Sequence, residues 1–119
     1  MLRQPPSIDA WGGGGFRISG AWQPGSLLLL DDAPRSWRPV VMSDISLDDL
    51  NEIIAAGTDV SEFVLLGTGL IQALPPPSVR EAVRAAGLGL EFMSTEAAVR
   101  MYNVLASEGR RFAAALIAV

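Results

Sequence analysis

Glu62-Phe63-Val64-Leu65-Leu66-Gly67-Thr68-Gly69 decides the fold, because a short apolar run closed by a Gly-Thr-Gly turn is the pattern of a buried strand that ends in a loop. Reading downstream, Pro75 to Pro77 mark a helix start, and Val79, Ala82, Val83 and Ala86 recur at helical spacing until Gly87 stops them. A second strand follows from Leu88 to Met93. Ser94 or Thr95 then caps a longer helix, in which Ala97, Ala98, Met101, Val104 and Leu105 form one apolar stripe and Gly109 marks the end. The chain closes with Arg111 to Val119, apolar on both faces from Phe112 onward, which predicts a strand in the middle of a covered sheet. The second half therefore reads β-α-β-α-β. Its short connections require parallel strands joined by right-handed crossovers.

Upstream the pattern changes to a meander. Residues 1–7 contain two prolines and nothing to pack, and read as a flexible leader before a single domain over 8–119. Ile8 and Ala10 alternate with Asp9, and Phe16 and Ile18 alternate with Arg17 and Ser19, the period of half-buried strands. Gly12 to Gly15 and Pro24-Gly25 are turns, and Ser26 to Leu30 is a continuous apolar strand closed by Asp31-Asp32-Ala33-Pro34. Trp37 to Met42 reads as a further short strand, confined by Pro39 to an edge. Ser46 then caps a short helix with Asp48 and Asp49 in its first turn, running through Ala56 to Gly57. An antiparallel meander feeding a β-α-β-α-β unit predicts an α/β fold with a mixed central sheet and helices on its faces.

Composition bears on function. The chain has no histidine and no cysteine, and its nine basic residues are all arginine, so the usual general bases, activated nucleophiles and soft metal ligands are missing. The expectation is a non-catalytic protein with no metal and no cofactor. A net charge of −4 with scattered arginines argues against nucleic acid. The longest apolar runs, Leu27 to Leu30 and Phe112 to Val119, fall far short of the ~20 residues that span a bilayer. The start shows no secretory or transit signal, and the expectation is a bacterial cytoplasmic protein or an already trimmed organellar one.

Several residue groups invite a functional reading. Gly12 to Gly15 lack the following helix and the lysine of a phosphate loop, and read as a turn. Asp31-Asp32 and Asp48-Asp49 stand where turns and helix starts use aspartate, without the ligand spacing of a calcium loop. Arg80 and Arg84 with Glu81, and Arg110-Arg111, read as surface. Trp11, Trp22 and Trp37 fall in or beside the meander, where each serves as core, as a ligand platform or as an exposed anchor for a protein partner. The strongest candidate is Gly67-Thr68-Gly69. Ligands gather outside the carboxyl ends of strands in open α/β sheets, and the next parallel strand brings Ser94 and Thr95 to the same end. Such a loop pair would suit a small anion, with Asn103 or Tyr102 added from the last helix. The plainer use of the same residues is turning and capping.

Taken in series, Phe63 to Gly69, then Gly87-Leu88-Gly89-Leu90-Glu91-Phe92-Met93, then Thr95, Ala98, Tyr102, Asn103 and Leu105 with Gly109-Arg110 and Ala114-Ala115-Leu116, carry a family likeness. The Ile8, Gly20 and Trp37 region fits as well. The chain resembles the domain-of-unknown-function family that includes the mitochondrial complex I assembly factor 3 and adipogenesis-associated small-domain proteins. The resemblance implies a three-layer fold, no cofactor, and, through the eukaryotic relatives, a role in assembling respiratory complex I. Two readings result: an interaction or assembly-factor-like protein with a protein partner, and a small-anion or metabolite binder, or atypical enzyme, using the Gly67 to Gly69 crevice.

Overall fold

The computed structural model describes residues 3–119; Met1 and Leu2, the start of the expected leader, lie outside the described residues. A three-stranded antiparallel sheet, in the order β1-β2-β3, is built from β1 (Ile8–Gly12), β2 (Gly15–Ile18) and β3 (Ala21–Pro24). Gly13 and Gly14 join β1 to β2 with φ of 62° and 84°, the positive values that a tight hairpin turn demands. The main sheet has five strands, β4 (Ser26–Leu30), β5 (Ala33–Trp37), β6 (Phe63–Gly67), β7 (Gly89–Met93) and β8 (Ala113–Leu116), in the order β5-β4-β8-β6-β7. The helices are α1 (Asn51–Ala56), α2 (Pro77–Ala85) and α3 (Thr95–Ser107). Short 3-10 turns at Met42–Asp44 and Leu47–Leu50 precede α1.

The C-terminal strand is internal, as its two apolar faces require. β8 pairs antiparallel with β4, Leu28 opposite Ala115, and parallel with β6, Leu66 opposite Ala115. Alternation along these strands sorts the core into two layers. Leu28, Leu30, Val64, Leu66, Ala113 and Ala115 face α1 and α2, whereas Leu27, Leu29, Leu65, Ala114 and Leu116 face α3 and the small sheet. The result is a three-layer α/β domain with a mixed central sheet. Each large aliphatic side chain buried this way contributes roughly 1.5–3 kcal/mol. Amide exchange should be slowest in β8 and β6 and fast along β5, an edge; equal rates in β8 and β5 would contradict this strand order.

Three expectations need correction. The strand expected over Trp37 to Met42 ends at Trp37 and begins at Ala33, because Asp31 and Asp32 take φ of 53° and 63° and turn the chain back at once. Pro34 is tolerated since β5 is an edge strand. The α3 stripe is also shifted: Thr95, Ala98, Val99 and Tyr102 are buried, while Met101 and Val104 face outward. Finally, residues 3–7 have more to bind than two prolines suggest. Arg3 makes two bonds to Asp32, at 2.8 and 3.0 Å, and donates to the carbonyls of Gly109 and Arg110, and Pro6 O accepts from the Tyr102 hydroxyl at 2.6 Å.

Candidate functional site

The loop after β6 meets the segment after β8 at the carboxyl end of these two internal strands. Thr68, Gly69 and Leu70 line an open groove there with Val40 to Met42 and Ile117 to Val119. The backbone crosses this point because Gly67 lets α3 seat against it: a methyl at Gly67 would stand 3.0 Å from Leu116 Cδ2 and 3.1 and 3.2 Å from Thr95 Oγ1 and Cα. Those distances are too short to accept without movement.

The polar atoms of the loop are already bonded within the protein. Thr95, fully buried, donates its hydroxyl to Ile117 O at 2.7 Å and accepts from Gly69 N at 3.0 Å. Its own backbone N–H donates to Gly69 O at 2.8 Å, and Thr68 N–H donates to Met93 O at 2.8 Å. The Thr68 hydroxyl lies 2.8 Å from Ile71 O and 3.0 Å from Met93 O, and accepts from Ala73 N at 3.0 Å. These bonds tie β6, β7 and β8 together at their carboxyl ends. They leave Thr68 N, Gly69 N and both threonine hydroxyls without a proton to offer an anion.

Around this closed loop stands a collar of exposed apolar side chains. Val40, 71% exposed, and Val41, 53% exposed, line the groove with Leu70, 85% exposed, and Ile71 and Leu74, 76% and 61% exposed, follow in the same loop. No charged residue occurs over 39–43 or 66–79. The charges of the preceding segment are engaged with one another, Arg38 bridging Asp49 at 2.6 Å and Asp44 at 3.2 Å. At roughly 230 Å³ the groove is smaller than the ~300 Å³ from which small-molecule pockets usually start.

Asp49 anchors Arg38, two residues before Val40 in the chain. Its carboxylate accepts from the Arg38 guanidinium at 2.8 and 2.6 Å and from Ser46 N–H at 2.8 Å, and these bonds, Arg38 first, hold its pKa below the ordinary value against the opposing effect of burial. A depressed carboxylate stabilises the fold above its unfolded pKa, and that contribution disappears as pH falls through the lower folded value. Native protein should therefore exceed Asp49→Asn in melting temperature at pH 7, with the difference closing below about pH 4. A pH series of thermal melts checks this; a pH-independent difference would assign the effect to shape.

Other expected site residues are not brought to the groove. Asn103 works at the far side of α3, where its amide exchanges two bonds with the backbone of Ile8, at 3.0 and 2.9 Å, and so continues the edge of β1. Tyr102 is buried beside it, and burial, aided by nearby Asp32, pushes its pKa up to about 12, so its hydroxyl stays a donor to Pro6 O. Trp37 is core, donating from Nε1 to Asp49 O at 2.9 Å. Trp11 is half-buried under the Arg100 guanidinium, 5.8 Å from its ring. Trp22 is 50% exposed and is the tryptophan still available as an anchor. Among the described residues, no three acidic side chains gather as they would to hold a metal ion.

The model of the DUF498/DUF598 family, proteins of unknown function, matches residues 8–117. The chain belongs to this family. An uncharacterized protein of Rhodobacter capsulatus is 40% identical to this DUF498/DUF598 domain over 110 residues, which cover 92% of this chain and 82% of that protein. The NADH dehydrogenase (ubiquinone) 1 alpha subcomplex assembly factor 3 of Homo sapiens is 31% identical over 110 residues, covering 92% of this chain, and the chain spans only 59% of that protein's length. A crystal structure described as an outer membrane protein from Bartonella henselae has a TM-score of 0.89 and 32% identity, covering 100% of this chain and 99% of that one. No described helix of the present DUF498/DUF598 domain is long and apolar enough to cross a membrane. The apolar collar itself was not among the residues singled out from sequence. Its signal was there in the charge-free stretch 66–79, where Leu70, Ile71 and Leu74 fall at helical spacing directly before three prolines, and the chain forms no helix there.

Proposed function

We propose that this DUF498/DUF598 domain is a non-catalytic interaction module of the assembly-factor kind, which receives an apolar, uncharged segment of another protein on the collar around Thr68 and Gly69. One observation carries the reading. Exposed Val40, Val41 and Leu70 line the groove at a loop whose own polar atoms are already bonded, exposed Ile71 and Leu74 follow in that loop, and clustered exposed apolar surface on a folded domain marks an interaction site. The assembly factors among the relatives suggest a respiratory complex I subunit, or an assembly intermediate of that complex, as the partner. The cytoplasm is the compartment in which such a partner would be met before assembly. A small-anion binder would need donors on the Gly67 to Gly69 loop, and the bonds above engage them. The test is the affinity of native protein and of a Leu70→Asp/Ile71→Asp variant for the partner captured with the native chain. Equal binding by both would refer the interaction to another surface, and capture of a stoichiometric metabolite in place of a protein would replace this reading.

A further inference from the structure

Helix α3 is apolar on two sides. Ala98, Val99 and Tyr102 are buried against the sheet, while Ala97, Met101 and Val104 lie on the outer flank, Met101 37% and Val104 56% exposed. The outer positions 97, 101 and 104 are separated by steps of four and three, the seam spacing with which one helix packs along another. We propose that this seam pairs with its own copy: two chains associate through antiparallel α3 helices across a two-fold axis.

Charge selects that occupant. Arg100 and Glu108 border the seam, two turns or about 12 Å apart along the helix, and the face carries no net charge. Reversing α3 about the point between residues 102 and 103 maps 97 onto 108, 100 onto 105 and 101 onto 104. An antiparallel copy therefore sets Met101 against the second copy's Val104. It also brings Arg100 within one turn, about 4.5 Å along the axis, of the second copy's Glu108, close enough for a guanidinium to bridge, and the two-fold axis repeats the pair. A parallel copy would set arginine beside arginine and glutamate beside glutamate. Arg100 now reaches back to Glu96 at 3.3 Å, an exposed pair that contributes little, and its guanidinium also lies 5.8 Å over the Trp11 ring, a contact the second copy's Glu108 would have to share or replace. Ala97, being small, lets the two helices approach to the usual 8–10 Å.

One helix face buries less than the ~800 Å² per partner of a standard interface, so the dimer should be weak, with a Kd on the order of 10 µM to 1 mM. Sedimentation equilibrium of the full chain tests it. The native chain should show a monomer–dimer equilibrium, Val104→Glu should weaken it at least ~10-fold, and Arg100→Glu and Glu108→Arg should each weaken it while the double exchange restores it. All three positions are exposed, so circular dichroism should show an unchanged fold. The Leu70→Asp/Ile71→Asp variant should dimerise like native protein, which separates this surface from the collar. A native chain that stays monomeric to about 1 mM, a dimer indifferent to Val104→Glu, or a double exchange no better than the single ones would overturn the proposal.

Discussion

Thr95→Val should lower the stability of the domain by about 2–4 kcal/mol, although the two side chains are nearly the same shape. Valine fills the volume and removes the one hydroxyl that joins the β6 loop to the end of β8. Gly69 N–H loses its acceptor at 3.0 Å and Ile117 O its donor at 2.7 Å, and both are then buried without a partner. An orphaned buried group costs about 1–3 kcal/mol, so two of them exceed the small gain from a more apolar side chain. Thr95→Ser keeps the hydroxyl and should recover most of the loss. Urea denaturation reads both; a Thr95→Val variant within about 0.5 kcal/mol of native protein would mean that the hydroxyl does not hold the carboxyl end of the sheet together.

The second large effect concerns binding. Leu70→Asp with Ile71→Asp should reduce partner affinity at least about thirtyfold, since truncating or charging a central apolar anchor commonly costs 2 kcal/mol or more. Leu70 and Ile71 are 85% and 76% exposed, so neither supports the core, and the variant should unfold at the same denaturant concentration as native protein. That separation matters for interpretation. The threonine variant perturbs the scaffold under the collar, while the aspartate variant perturbs only the surface a partner would touch.

The central sheet was legible because its signal is local. Phe63 to Gly67 and Ala113 to Leu116 are apolar on both faces, and only the middle of a covered sheet accommodates such strands. The start of β5 was not, because Asp31 and Asp32 both adopt positive φ, which aspartate does less often than glycine, and the two-residue turn was read as a longer closure. The buried face of α3 was misassigned since the helix is apolar on two sides, and spacing alone cannot say which side meets the sheet.

The candidate site divides in the same way. Sequence placed Gly67 to Gly69 and Thr95 at one end of the sheet, and they do meet there. Which hydrogen bonds the hydroxyls make depends on Ile117 and Met93, far along the chain. Asn103 is a stronger case, because its partner Ile8 lies 95 residues away and nothing in its helical neighbourhood announces a strand edge. The exposed residues carry a weak signal for a further reason: isolated apolar residues in loops are ordinary on protein surfaces, and only the meeting of Val40 and Val41 with Leu70 across one groove gives them meaning.

The claim that the collar receives a protein is tested most directly by a photo-crosslinking amino acid placed at Ile71 in the living source cell, with the same group at exposed Glu81 on α2 as the comparison. The expected result is one discrete protein adduct at position 71, lost when Leu70 is also changed to aspartate and absent from position 81. An adduct pattern shared by both positions, or labelling at 71 of lipid or small molecule alone, would contradict the account.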